Sequence, residues 1–188
     1  MLSRIANKFK INKFIHLSAL GIDKAIDSKY AISKLEGEQE IIKNFYNYVI
    51  LRPSIVYSVD DKFTTNFMTL LSRLPIMPLY FQGKTKFSPI HVNDLTDIIF
   101  NIIEGKYSNL ILECIGPEIL SFKEILESLL EAIDKKRLLI PLPNQIASIS
   151  AKIFQLLPKP LLTEDQLKLL KYDNIKSGNH KTNFDLNL

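Results

Sequence analysis

Phe14-Ile15-His16-Leu17-Ser18, Tyr30-Ala31-Ile32-Ser33-Lys34 and Tyr48-Val49-Ile50-Leu51-Arg52-Pro53 follow one another within a single short stretch, and their order decides the fold. Lys13 to Ser18 is a short apolar run that reads as a buried strand, with a loop from Ala19 to Asp27. Ser28 to about Phe45 reads as a helix. Tyr48 to Arg52 is a second strand, stopped by Pro53, which has no N–H to give to a ladder. Strand, helix and strand with a short return form a βαβ unit, which predicts that the two strands are parallel.

Downstream the character changes. Phe63 to Leu74 reads as a helix, and Pro75, Pro78 and Pro89 break up a stretch of short strands. Asn93 to Glu104 is an amphipathic helix, with Leu95, Ile98, Ile99, Ile102 and Ile103 recurring at helical spacing. Residues 110–115 form a strand that ends at Gly116-Pro117. Ser121-Phe122-Lys123-Glu124 is a capping box, because serine and glutamate can satisfy each other's free helix-end amides. Arg137 to Ile140 reads as a strand, Asn144 to Leu157 as a helix, and Thr163-Glu164-Asp165-Gln166 as a second capping box opening a last helix to about Tyr172. From Lys176 the chain is polar and expected to fray.

The bulk numbers bound the function. The 188 residues suffice for one domain with a full core, or one domain and a small lobe. A balance of 24 basic against 20 acidic residues is only mildly basic, without a basic-aromatic stripe, which argues against nucleic acid as a partner. The single cysteine, Cys114, excludes an intramolecular disulfide and suits a reducing compartment. No apolar run approaches the ~18 residues of a membrane span, and the first ten residues lack the apolar stretch of a secretory signal. The expectation is a cytoplasmic protein, with peripheral contact to the inner membrane as an option. That option rests on the apolar stretch Leu138 to Leu162 and its bounding lysines; packing of the 144–157 helix inside a small lobe is the plainer reading. No Cys/His cluster supports a metal site.

Tyr30 and Lys34 stand at i, i+4, side by side on one helix face. A phenol with a pKa near ~10 is a poor proton carrier at neutral pH, and a neighbouring ammonium favours the phenolate. Tyr30 could then exchange a proton with an alcohol or carbonyl. Ser18, at the C-terminal end of a parallel strand, lies where ligands bind in open α/β sheets and could hold the substrate oxygen. The bland alternative is a solvated Tyr–Lys pair, which chance produces often. His16 reads as a packed histidine rather than a ligand.

Taken together, Phe14-Ile15-His16-Leu17-Ser18-Ala19, Tyr30-Ala31-Ile32-Ser33-Lys34-Leu35-Glu36-Gly37-Glu38, Leu51-Arg52-Pro53-Ser54-Ile55-Val56-Tyr57 and Phe87-Ser88-Pro89-Ile90-His91-Val92-Asn93-Asp94-Leu95 resemble the second half of an atypical, extended short-chain dehydrogenase/reductase of the NAD-dependent epimerase/dehydratase type. The stretches from Arg137 to Pro143 and from Leu161 to Asn174 most resemble the nucleotide-binding accessory subunit of respiratory complex I and its bacterial relatives. The resemblance implies that Ser18, Tyr30 and Lys34 match the active-site trio, with Tyr30 and Lys34 also touching the cofactor. It further implies that Pro53, Ser54, Ile55 and Val56 lie against the nicotinamide end of NAD or NADP. His91 and Asp94 match an interdomain motif of unassigned role, and Gly116-Pro117 a turn of the substrate lobe.

One departure is large. The six glycines, Gly21, Gly37, Gly83, Gly105, Gly116 and Gly178, admit no G-x-G-x-x-G or G-x-x-G-x-x-G phosphate loop. Only about thirteen residues precede the serine strand, where the family has a Gly-rich turn and several strands. The resulting expectation is an α/β fold, the C-terminal part of a Rossmann-like parallel sheet followed by a small α+β lobe. Residues 1–60 are the remnant of the NAD(P)-binding domain, to which later strands can return; 61–175 are mostly the small lobe, and 176–188 a polar tail. Two functions compete. One is a structural or residual accessory protein of a complex I-type assembly, with little dinucleotide binding of its own. The other is an NAD(P)-dependent oxidoreductase or nucleotide-sugar epimerase/dehydratase using Ser18, Tyr30 and Lys34, with a partner chain supplying the N-terminal half.

Overall fold

The βαβ unit read from the sequence organises the molecule. A computed structural model describes residues 2–142 and 163–188. In it β1 (Phe14–Leu17), α2 (Lys29–Asn44) and β2 (Tyr48–Pro53) follow a short leading helix, α1 (Leu2–Lys8). β1 and β2 are parallel, with Phe14 opposite Tyr48 and Leu17 opposite Leu51. The chain then passes through β3 (Val56–Tyr57), α3 (Lys62–Arg73), β4 (Ile76–Leu79), β5 (Lys86–Phe87), β6 (Ile90–His91) and α4 (Val92–Glu104). β7 (Leu110–Cys114) returns to lie parallel beside β2, with Arg52 opposite Glu113. β8 (Leu120–Ser121), α5 (Phe122–Ala132), β9 (Leu138–Pro141), the helix Glu164–Leu169 and β10 (Lys181–Thr182) complete the described chain. The expected helix at 144–157 lies outside the described residues, as does the apolar stretch beyond residue 142.

The sheet order is β1-β2-β7-β10, parallel throughout, so the α/β reading holds. Parallel sheets bury both faces, and the alternation along each strand shows how. Val49, Leu51, Leu112 and Cys114 turn to one face and pack beneath Leu95, Ile98 and Ile102 of α4. Each such aliphatic side chain contributes about 1.5–3 kcal/mol on full burial. Lys13, just before β1, closes the C-terminal end of α4, its Nζ donating to the carbonyls of Ile102 and Gly105, each at 2.6 Å. The opposite face carries Arg52 and Glu113 and is covered by α2.

The small lobe has its own core. Phe67, Leu71, Met77, Tyr80, Phe122 and Leu126 pack between α3 and α5, and Phe67 meets Phe122 edge to face at 5.2 Å. Both capping boxes form as read, Ser121 with Glu124 and Thr163 with Gln166. Arg137, at the end of the Lys135–Arg137 run, closes α3: its Nε donates to the Leu71 carbonyl at 2.9 Å. The polar C-terminal stretch is not frayed. Glu113 is buried and needs donors, and Ser177 supplies both its backbone N–H and its hydroxyl. β10 follows directly and extends the sheet.

Candidate functional site

Ser18, Tyr30 and Lys34 lie near the C-terminal end of β1, and among the described residues no hydrogen bond joins their side chains. β1 ends at Leu17, and the Ser18 N–H continues the ladder by donating to the Leu51 carbonyl at 2.8 Å. This turns Ser18 inward: it is 5% exposed, and its buried hydroxyl has no hydrogen-bond partner among the described residues. Tyr30 stands in the first turn of α2 and is 44% exposed. Lys34 Nζ lies 5.8 Å from the centroid of the Tyr30 ring, yet its hydrogen bond goes to the Leu17 carbonyl at 3.0 Å. The ammonium thus sits beside the ring face and binds a backbone oxygen. Partial burial pushes the Tyr30 phenol above its ordinary value, opposite to the direction that general-base work at neutral pH requires.

A cavity of about 560 Å³ opens beside this region. Tyr30 lines it, together with the 19–22 loop, α3 and the helix Glu164–Leu169; Ser18 and Lys34 do not. The nicotinamide-side residues implied by the resemblance are mostly engaged in the fold. Pro53 pairs with Cys114, and its carbonyl accepts from the Leu20 N–H at 2.9 Å. Ser54 is buried, and its hydroxyl donates to the Asn174 side-chain oxygen at 2.6 Å. Val56 pairs with Ile90 in the two-strand ladder β3–β6. Ile55 alone of the four lines the cavity. Among the described residues no cluster suited to a metal ion occurs.

A dinucleotide needs more than this end of the fold supplies. Its pyrophosphate is ordinarily received by free amides at a helix N-terminus. Here the N-terminus of α2 is taken: the Asp165 carboxylate accepts from the Ser28 hydroxyl and from the N–H groups of Lys29 and Tyr30 at 2.9–3.0 Å. Burial raises the Asp165 carboxyl, but these donors outweigh it and hold the group below its ordinary value. Among the described residues, the start of α2 therefore leaves no free amides to receive a pyrophosphate.

Several residues that organise the site carry weak sequence signals. Glu38, one turn beyond Lys34, and Arg52 form a buried bidentate ion pair, with Nε–Oε1 at 2.9 Å and Nη2–Oε2 at 2.7 Å. Asp165 and Asn174 reach back from the C-terminal segment, Asn174 donating to the Leu20 carbonyl at 2.6 Å. His91 has a structural part: its Nδ1 accepts from the Asn93 N–H and caps α4, while its ring meets Tyr57 edge-on at 5.2 Å. His16 is half-buried beneath α2, its Nε2 without a hydrogen-bond partner among the described residues. Burial first, and then Lys34, lower its basicity, against an opposing effect of Glu38. Gly116 is required by packing, since a Cβ there would lie 1.8 Å from the Pro89 carbonyl oxygen.

No family model matches the chain. Among curated proteins it is 29% identical, over 99% of its own length, to NADH dehydrogenase [ubiquinone] 1 alpha subcomplex subunit 9, mitochondrial, of Dictyostelium discoideum. It is 25% identical over 95% of its length to the protein of that name from Arabidopsis thaliana. It is 22% identical over 96% to the mitochondrial NADH-ubiquinone oxidoreductase 40 kDa subunit of Neurospora crassa. The chain spans about half of these relatives, 53%, 47% and 48% of their lengths respectively. Of solved structures, it resembles dTDP-4-dehydrorhamnose reductase from Bacillus anthracis in complex with NADP, with a TM-score of 0.63 at 17% identity over 77% of this chain and 55% of that one. It also resembles UDP-glucose 4-epimerase from Thermotoga maritima, with a TM-score of 0.60 at 17% identity over 91% of this chain and 66% of that one. The chain is thus similar in sequence to these NADH–ubiquinone oxidoreductase subunits, over about half their length, and shares the fold of the reductase and epimerase structures.

Proposed function

We propose that this chain is an accessory, non-catalytic component of an NADH–ubiquinone oxidoreductase-type assembly, with little NAD or NADP affinity by itself. The observation that carries this reading is the joint one: relatedness to such subunits along nearly the whole chain, and a Ser18–Tyr30–Lys34 trio that does not converge on the cavity. Its place is peripheral, reached from the cytoplasmic side of the membrane; among the described residues no helix is long and apolar enough to cross one. A tagged copy expressed at native level should co-purify with NADH–ubiquinone oxidoreductase activity on native gels. A chain that migrates wholly apart from that activity would remove the accessory role.

A second reading is supported by the open edge of β1. Among the described residues β1 pairs with β2 alone, and ladder alternation turns the amides of Ile15 and Leu17 away from β2. Leu17, Phe9 and Ile11 near that edge are 45%, 71% and 52% exposed, and such an edge is a template for another strand. On this reading a complementary chain carrying a Gly-rich βαβ segment adds a parallel strand there and brings the dinucleotide. The assembled pair is then an NAD(P)-dependent oxidoreductase or epimerase in which Tyr30 exchanges the proton, Lys34 tunes it and Ser18 holds the oxygen. Mixing the two chains should produce NAD(P)H-dependent turnover that Tyr30→Phe abolishes; turnover unchanged by that substitution would take Tyr30 out of the mechanism.

A further inference from the structure

The cavity beside Tyr30 has a composition of its own, independent of the accessory-subunit reading. Its wall is mostly apolar, with Leu20, Ile22, Ile55, Phe63, Phe67 and Phe87 forming much of it. At about 560 Å³ it is in the range of ordinary small-ligand sites, about 300–1,000 Å³. Most of its polar atoms are already committed to the fold. Both Asp165 oxygens hold the start of α2. The Thr163 hydroxyl and the Gln166 carbonyl oxygen accept within their capping box. Asp173 accepts from the Lys86 N–H, and Asn174 is spent on Leu20 and Ser54.

Besides the Tyr172 hydroxyl and the Gln166 side-chain N–H groups, three further polar groups remain for a ligand. The Tyr30 hydroxyl, the Lys62 ammonium and the Asn66 side-chain amide line the cavity without a hydrogen bond to another described residue. Lys62 and Asn66 stand at i, i+4 on α3, directly beside the Phe63–Phe67 pair at the same spacing, so polar and apolar rows run together along one helix. All three groups can donate, and a phenol pushed up by burial keeps its proton for that purpose. The charge balance is unfavourable to an anion: one lysine against the carboxylates of Asp165 and Asp173 among the described lining residues. A nucleoside diphosphate would bring at least two negative charges to a wall whose described charges sum to −1.

We infer that this cavity binds an uncharged, largely apolar molecule whose head offers a carbonyl oxygen, received by Tyr30, Asn66 and Lys62 while the tail lies among the α3 phenylalanines and Leu20, Ile22 and Ile55. The site is a lipid-type pocket, in contrast to a nucleotide-sugar pocket. A medium-chain ketone, ester or quinone head shares this chemistry.

The experiment is a displacement titration on the full chain with Nile red, an uncharged apolar dye that bears a carbonyl and brightens out of water. Dye emission should rise on binding, and 2-undecanone and a decyl-substituted benzoquinone should each displace it, the tighter of the two naming the head. Undecanoate should compete at least tenfold less well than 2-undecanone, and UDP-glucose and uridine not at all. Tyr30→Phe, and separately Asn66→Leu, should weaken 2-undecanone about tenfold, the loss expected for one hydrogen bond, with unfolding midpoints unchanged. Phe9→Glu and Leu17→Glu, on the exposed apolar surface near β1, should leave dye binding as it is. The inference is overturned if UDP-glucose or uridine displaces the dye, if undecanoate competes as well as the ketone, or if no saturable dye binding occurs. It is equally overturned if binding follows the Phe9 and Leu17 variants, or if both cavity variants hold the ketone as tightly as the parent chain.

Discussion

Cutting the Glu38–Arg52 ion pair should destabilise the chain more than any surface change, and the reason can be worked from the geometry. Both N–H···O contacts are short, 2.9 and 2.7 Å, and the two side chains are 5% and 2% exposed. Arg52 also faces Asp23 and Glu113, while α2 closes the region from above, so water cannot take over from a lost partner. Removing one member of such a pair leaves an uncompensated buried charge, at about 3–5 kcal/mol. Glu38→Ala and Arg52→Met should each cost about that much. Glu38→Gln should cost less, because its amide oxygen can still accept one N–H. The double variant Glu38→Leu/Arg52→Met should lie within about 2 kcal/mol of the parent, since an apolar pair of similar volume avoids the desolvation of both charges. The assay is urea unfolding followed by far-ultraviolet circular dichroism, as the chain has no tryptophan. Strict additivity, with the double variant as destabilised as the two singles summed, would refute the reasoning.

Other expectations follow from single contacts. Asp165→Ala should loosen the start of α2 by about 1–2 kcal/mol, as for loss of a helix cap. Because the Asp165 carboxyl is held below its ordinary value of 3.8, its contribution is present above that value and is lost as pH falls through the lower, folded one. The stability gap between parent and Asp165→Asn in urea should therefore narrow in strong acid, and a gap that widens would reverse the sign. Cys114 is fully buried, and burial pushes its thiol up to about 12. It should resist a thiol-disulfide reagent in the native chain and react on unfolding; rapid native labelling would contradict its placement. Gly116→Ala should cost about 3 kcal/mol or more, because the new Cβ meets backbone and cannot be relieved by a rotamer. Gly178→Ala, with open space but φ +81°, should cost only about 1 kcal/mol in the same urea assay.

Much of the fold was legible because its signals are local. Leu110–Cys114 is apolar apart from Glu113 and short, so it reads as a buried strand. The capping boxes at Ser121 and Thr163 are complete within four residues each. The pairing of strands with a helix between them is dictated by connection length. Contacts over long separations were not legible. Lys181-Thr182 is too short and too polar to read as a strand, and it becomes one because the buried Glu113 fixes Ser177 just before it. Asp165 looks like one more acidic residue of a capping box, and only the fold brings it to the start of α2. The candidate trio shows the same limit. Spacing places Lys34 beside Tyr30, but it cannot say that the ammonium will take the Leu17 carbonyl, nor that Ser18 will turn inward.

We propose that this chain, which shares the fold of solved reductase and epimerase structures, binds little dinucleotide by itself. Titration of the purified chain with NADPH, followed by NADPH fluorescence, puts that to the test. The expected result is no saturable binding in the micromolar range, whether or not Nile red occupies the cavity. Micromolar, saturable NADPH binding by this chain alone, weakened by Lys34→Ala, would contradict it.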